Sequence, residues 1–466
     1  GGAKERRTVG WDQRRIGGWW DAYLSVNRSF ADAVTAMLKP GDILWIHDYH
    51  LSVLPNLVTD WENLEYGGQV TKKVFFLHIP FCSSVVFKEL ECGGDVLEGM
   101  LSADVIGFHT FDYARHFLSC VKRLLGVGYE SLAGGLIGLR YRGRTVLVTM
   151  HSVSVEPVAV DRALASSPVE DRLGRYRAKY RDATVIAGVD VAQSLSGIRY
   201  KLLAYEELLD GYPIWRGRLV LAQRCLIPGA RPADETSTLR EVRSLVKRIR
   251  RKFGDLTVDY EEIHGSSLPI VERLALWRAS DLMVVSAVRE GLNLLPLEYI
   301  YAREKPHSAP GITVASEFSA VCSELNGALR INPFDVPGTA SVLDKALTMD
   351  PQEREGRRQR DLDFVTSSPS SKWAEKILRD MKEVTLYDRD DDDSDAEGDG
   401  NNSDDEMDYL NGGGAMLPRE KKKVIDSTSA FLARETALNF SHLDGDAVMQ
   451  AYHKTSRRVL VLDFNG

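Results

Sequence analysis

The chain has 466 residues, 44% of them hydrophobic and 27% charged, with a formal net charge of -8. That length exceeds one ordinary core and predicts two or more globular domains. No run of about 18 apolar residues occurs, so no helical membrane span is expected, and the opening "GGAKERRTVGWDQRR" carries no apolar stretch of the signal-peptide kind.

The elements begin with "GDILWIHDYHLSVLPNLV": a turn at Gly41-Asp42, a strand at Ile43–Ile46, polar His47 and Asp48, then a helical pattern. "KKVFFLHIPF" repeats the form with His78 at the strand's end, and "ADVIGFHTFDYARHFLSCVKRLL" repeats it with His109 leading into a helix. Short apolar runs alternating with helices predict a parallel α/β sheet, whose ligands sit beyond the carboxyl ends of the strands. His47, Asp48, His78 and His109 fall at that edge. "LIGLRYRGRTVLV" alternates about Arg142-Gly143 and predicts a β-hairpin. A second series opens at "TVIAGVD" and continues through "RLVLAQRC", "DLMVVSAVREGLNLLPLEYIYA" and "GITVASEF". Within it Leu239, Val242, Val246, Ile249 and Phe253 recur at helical spacing, with Lys247, Arg248, Arg250, Arg251 and Lys252 on the solvated face.

Residues 388–408, "DRDDDDSDAEGDGNNSDDEMD", hold twelve acids and one Arg, a net -11 that leaves +3 for the remainder. Such a tract cannot bury enough surface to fold and is expected to be a disordered linker. Nothing in this balance calls for nucleic acid. The five cysteines (82, 92, 120, 225 and 322) are scattered, with no CxxC pair, which argues against a disulfide scaffold or zinc site and sets a cytoplasmic compartment as the expectation. His47, His50, His78, His109 and His116 form no HxxxH or HExxH pattern, so no metal is expected.

"WIHDYHLSVLP", "FFLHIPF", "ADVIGFHTFDYARHFL", "VREGLNLLPLEYI" and "SEFSAVCSELNGALRINPFDV" together resemble the trehalose-6-phosphate synthases, glycosyltransferase family 20. The tail "RRVLVLDFNG" resembles the start of the phosphatase domain that follows the synthase domain in plant-type, class II members. The resemblance implies a GT-B fold, two Rossmann-like domains facing a cleft. Residues 1–157 would form the acceptor-side domain, incomplete at its N-terminus, and 158–385 the UDP-sugar domain with a closing helix. Residues 386–420 would be the acidic linker, and 421–466 the truncated start of a haloacid-dehalogenase-like phosphatase domain.

It also implies a retaining transfer of glucose from UDP-glucose to glucose 6-phosphate, giving trehalose 6-phosphate and UDP without metal or other cofactor. Asp48 matches the family aspartate on glucose 6-phosphate, and could equally be a helix N-cap. His78 matches the histidine near the donor glucose, with a structural histidine as the other reading. Glu290, Gly291, Leu294, Leu295, Pro296, Leu297 and Glu298 match the donor loop, Glu298 on the ribose; core packing is the alternative for "LNLLPL". Arg231 falls near the arginine that grips the acceptor phosphate, or is a plain surface arginine.

The stretch "GVDVAQSLSGIRYK" departs from that pattern. The family's diphosphate-binding Arg and Lys are here Val191 and Ser196. Two missing charge-assisted contacts to a leaving group cost several kcal/mol of transition-state stabilisation, on the order of 10³-fold in rate. In the tail, Asp463 matches the phosphatase nucleophile, but its partner acid is Asn465. Three readings follow: a synthase of weakened activity; a catalytically silent class II paralogue that binds sugar phosphate, or synthase or phosphatase paralogues, and regulates; or a family-20-like transferase that uses another acceptor.

Overall fold

The computed structural model describes residues 13–132, 136–303, 309–394 and 459–462. In chain order the strands are β1 (Ile43–His47), β2 (Lys72–Leu77), β3 (Val105–Phe108), β4 (Tyr129–Ser131), β5 (Ile137–Tyr141), β6 (Arg144–Met150), β7 (Thr184–Val191), β8 (Leu219–Ile227), β9 (Val258–His264), β10 (Leu282–Val285), β11 (Ile312–Ser316), β12 (Leu329–Ile331) and β13 (Val459–Leu462). They form two sheets, ordered β13-β1-β2-β3-β6-β5-β4 and β12-β11-β10-β7-β8-β9. The second sheet is parallel throughout; in the first, only the β4-β5-β6 pairs are antiparallel. This is the two-domain α/β architecture of a GT-B fold.

The strands are continuous apolar runs because helices cover both faces of each sheet. Leu44, Phe75, Ile106 and Val148 point to one side of the first sheet, while Trp45, Val74, Phe76, Val105 and Leu147 point to the other. The second sheet is likewise packed on both faces. The expected hairpin is β5–β6, turning through Arg142 (φ 51°) and Gly143 (φ 78°), the two left-handed residues that match a tight turn to strand twist.

Three features differ from the sequence expectation. The amphipathic helix spans Pro232–Phe253, beginning before the apolar periodicity does. Pro232 at its first turn, with Asp234 and Glu235 there, favours that start through fixed φ and the helix dipole. The helix Ser370–Ser394 runs nine residues into the stretch expected to be disordered, since propagation adds one hydrogen bond per residue once packed turns exist; residues 395–420 lie outside the described residues. Its first turns return to the N-terminal sheet, where Trp373, Ile377 and Met381 cover Trp45, Phe76 and Val105.

Of the phosphatase-like segment only β13 is described. It lies parallel along the outer edge of β1, Val459 opposite Ile43 and Leu462 opposite Ile46. A four-residue apolar strand satisfies an otherwise open row of backbone groups there. Asp463 and Asn465 lie outside the described residues.

Candidate active site

The carboxyl ends of β1, β2 and β3 are neighbours, so the residues that follow them meet. His47 Nδ1 is 2.8 Å from His78 Nε2, and His78 Nδ1 is 2.9 Å from His109 Nε2. The result is a chain of three imidazoles beside Phe76 and Trp373, with His109 edge-on to Phe76 and His78 tilted against both rings. Burial, and then the neighbouring imidazoles, hold His78 down to about 2; burial holds His109 down to about 4. Both rings are neutral at ordinary pH, so each can donate at one nitrogen and accept at the other. Both nitrogens of His78 are engaged within the first domain, and its carbonyl lies against Gly291 of the second.

Asp48 follows His47 and takes φ 64° and ψ 169°, a region that side chains rarely enter. Its amide donates to Phe76 O at 2.8 Å, and its carboxylate accepts from Tyr49 N at 3.1 Å. The cap reading of Asp48 therefore holds, on a buried residue (7% exposed) in a strained conformation at the sheet edge.

The opposing wall comes from the carboxyl ends of β7, β8 and β10. A cavity of about 440 Å³ is lined there by Asp190, Val191, Gln193, Leu195 and Ser196, by Arg231, Ser266 and Ser267, and by Arg273, Arg289, Glu290, Gly291 and Asn293. Gly291 closes the gap between domains. A Cβ at this position would sit 2.3 Å from His78 O, so only glycine allows the two walls to touch. Tyr113 Oη donates to Glu290 O at 3.3 Å across the same seam. Ser152 Oγ, at the end of β6's loop, lies 2.6 Å from Glu324 Oε1 of the second domain.

Glu290 accepts from Ser319 Oγ at 2.5 Å and, more loosely, from Asn293 Nδ2. Burial pushes its carboxyl up to about 7, the nearby Asp190 adding to the rise. Of the run Leu294–Glu298, only Leu295 lines the cavity; Leu294 is exposed, while Pro296 and Leu297 are core. Glu298 lies behind the wall, 6% exposed. Arg273 grips it with Nε at 2.5 Å and a terminal nitrogen at 2.8 Å, and Trp277 Nε1 donates to it at 2.7 Å. Glu290, Gly291 and Arg231 line this cavity and His78 O meets Gly291, whereas Asp48 and His78 are not among the residues that line it, and Glu298 lies behind the wall, held by Arg273.

The loop after β7 keeps its shape without cations. Lys201 is buried, 2.5 Å from Asp190 Oδ2, and Gln223 Nε2 donates to the same oxygen at 2.8 Å. Arg199 leans the other way, onto Glu241 at 3.1 Å. Gly197 (φ 69°) lies against the backbone of Ser286. Val191 packs on the core, and Ser196 Oγ donates to Gln193 O at 2.7 Å. Sequence reasoning missed Arg273 and Arg289 as cavity residues. The available signal was the four-residue spacing of Arg273 and Trp277, which puts both on one helix face, toward Glu298.

The sequence matches the model of glycosyltransferase family 20 over residues 7–383. It is 36% identical over 379 residues to alpha,alpha-trehalose-phosphate synthase (UDP-forming) 6 of Arabidopsis thaliana, covering 78% of this chain and 43% of that protein. It is 35% identical over 374 residues to the alpha,alpha-trehalose-phosphate synthase (UDP-forming) of Schizosaccharomyces pombe, covering 79% and 70%. The chain spans about half the length of the plant relatives that it matches, 49% in a second Arabidopsis case. Among solved structures, the Burkholderia xenovorans synthase in complex with glucose-6-phosphate superposes with a TM-score of 0.72 at 26% identity, covering 80% of this chain and 79% of that one. An E. coli protein bound with UDP-2-fluoro glucose gives 0.70 at 28% identity, covering 78% of each.

Proposed function

The chain belongs to glycosyltransferase family 20, and from that premise we propose that it is a UDP-glucose-dependent trehalose-6-phosphate synthase whose turnover is weakened at the leaving group. The observation that carries this reading is the cleft itself. The cavity at the ends of β7, β8 and β10 adjoins the first domain at the contact of Gly291 with His78 O, one strand away from the end of β1 that carries Asp48. Two relatives of the same fold are described with glucose-6-phosphate and with a UDP-glucose analogue.

In this reading Asp48 and Arg231 hold the acceptor sugar phosphate, and the backbone ahead of the helix Leu295–Ala302 meets the donor. The bond from the glucose anomeric carbon to the diphosphate breaks, its electron pair leaving with UDP. The acceptor hydroxyl oxygen bonds that carbon on the same face, and its proton leaves with UDP. The step calls for no metal and no covalent protein intermediate. A cytoplasmic location accords with the substrates assigned.

A second reading has specific support. Val191 and Ser196 put no charge into the cavity, and Glu298 is already occupied by Arg273, which suits a paralogue that binds sugar phosphate or partner synthases without efficient turnover. Measuring UDP release from UDP-glucose with and without glucose 6-phosphate decides. Acceptor-dependent release establishes the transferase; binding of both substrates without release establishes the regulator; binding of neither refutes both.

A further inference from the structure

A nucleotide sugar's diphosphate needs positive charge beside it, and the loop that flanks the cavity provides none. Three arginines line the same cavity: Arg231, Arg273 and Arg289. We propose that Arg289 is the cation that receives the donor's diphosphate in this chain, standing in for the charges absent at Val191 and Ser196. This rests on the transferase reading above and assigns a residue within it.

The placement follows from backbone contacts. Val288 N donates to Leu195 O at 2.8 Å, and Arg289 N approaches the same oxygen at 3.4 Å. Arg289 therefore leaves the backbone beside the residue preceding Ser196, within an arginine's reach of the space the loop side chains leave open. Its side chain is exposed and forms no ion pair among the described residues. Its positive charge opposes the rise in the Cys82 thiol and the Tyr113 hydroxyl, so the guanidinium is felt across the cleft by the first domain. The adjoining carboxyl, Glu290, is a weak rival for it, being hydrogen-bonded to Ser319 and pushed up to about 7 by burial.

Other cations are committed elsewhere. Lys201 is sealed against Asp190 and is 2% exposed. Arg199 lies on Glu241, and Arg273 is forked onto Glu298. Arg231 stands across the cavity at the start of the helix Pro232–Phe253, where an acceptor phosphate is its natural partner. A planar guanidinium can bind two phosphate oxygens at once, so one arginine can replace much of what two separate cations supply.

Titration calorimetry on the full chain tests the assignment with UDP, uridine and glucose 6-phosphate as probes, for the parent, Arg289→Gln, Arg289→Lys and Arg231→Gln. Arg289→Gln should weaken UDP about tenfold to a hundredfold, the worth of a hydrogen bond to a charged group, while leaving uridine and glucose 6-phosphate unchanged. Arg289→Lys should recover part of the loss, and Arg231→Gln should weaken glucose 6-phosphate but not the UDP-to-uridine ratio. A parent that prefers UDP over uridine, with a ratio unmoved by Arg289→Gln, overturns the role of Arg289 and leaves the transferase reading standing. A parent that binds neither UDP nor uridine overturns both. An unchanged thermal midpoint in each variant establishes that the losses are local.

Discussion

Removing Arg273 should destabilise the second domain far more than removing the pair. The two side chains are 18% and 7% exposed, with both carboxylate oxygens of Glu298 engaged by one guanidinium. Arg273→Leu strands a buried carboxylate, a change that costs about 3–5 kcal/mol. Trp277 Nε1 still donates to the stranded group, which places the expectation near the lower end, about 3 kcal/mol. Glu298→Leu leaves a guanidinium at the cavity wall, where water can reach it, and should cost about half as much. Arg273→Leu with Glu298→Leu should return to within about 1–2 kcal/mol of the parent, because an apolar pair needs no desolvation of charge. Because the chain has two domains, a single global midpoint is a poor measure. Native-state amide exchange at β10 and β11 reports the free energy of the relevant domain directly. A cost below about 1 kcal/mol for Arg273→Leu, or a double variant as unstable as the sum of the singles, would refute the argument.

Three further outcomes follow from the same geometry. Asp48→Gly and Asp48→Ala both lose the bond to Tyr49 N, but glycine accepts φ 64° freely, so the glycine variant should be the more stable by about 1–2 kcal/mol in urea unfolding; equal stabilities would show the strain to be absent. Gly197→Ala combines φ 69° with a Cβ 1.8 Å from Ser286 O, so it should displace the loop and weaken both UDP and uridine by at least tenfold; unchanged affinities would contradict the tight packing. Glu290 binds its proton more tightly folded (about 7) than unfolded (4.5), so its contribution is full below about pH 4.5 and is lost as pH rises through 7. Glu290→Gln should therefore gain stability relative to the parent between pH 5 and 8, by up to about 3 kcal/mol; a flat difference would refute it.

What the sequence made legible was whatever depends on near neighbours in the chain. The strand ends at His47, His78 and His109 show in short apolar runs, and Arg142-Gly143 shows as a turn, because apolar period and backbone freedom are local properties. That the three histidines join in one chain is not local: it follows from β1, β2 and β3 being parallel neighbours, each residue past a strand end lying beside the next. The Arg273–Glu298 fork is likewise invisible, since it joins the helix Ile270–Ala279 to the helix Leu295–Ala302 across the packed core. The contact of Gly291 with His78 O joins two domains, and no periodicity in either reports it.

The loop after β7 separates two demands that a sequence motif merges, holding a shape and supplying a charge. Its shape is set by Gly197 against Ser286, by Asp190 with Lys201 and Gln223, and by Leu195 O receiving Val288 N. None of those contacts involves a side chain at Val191 or Ser196 as a donor to the cavity: Val191 lines it with an apolar side chain that also packs on the core, and the Ser196 hydroxyl is spent on Gln193 O. Charge at these two positions is therefore dispensable to the fold, and the cavity can draw it from any neighbouring strand end. The ends of both β8 and β10 are held directly against the loop, through Ala192 N on Leu226 O and Val288 N on Leu195 O, and the residue after Val288 is a cavity-lining position from which a replacement cation can act.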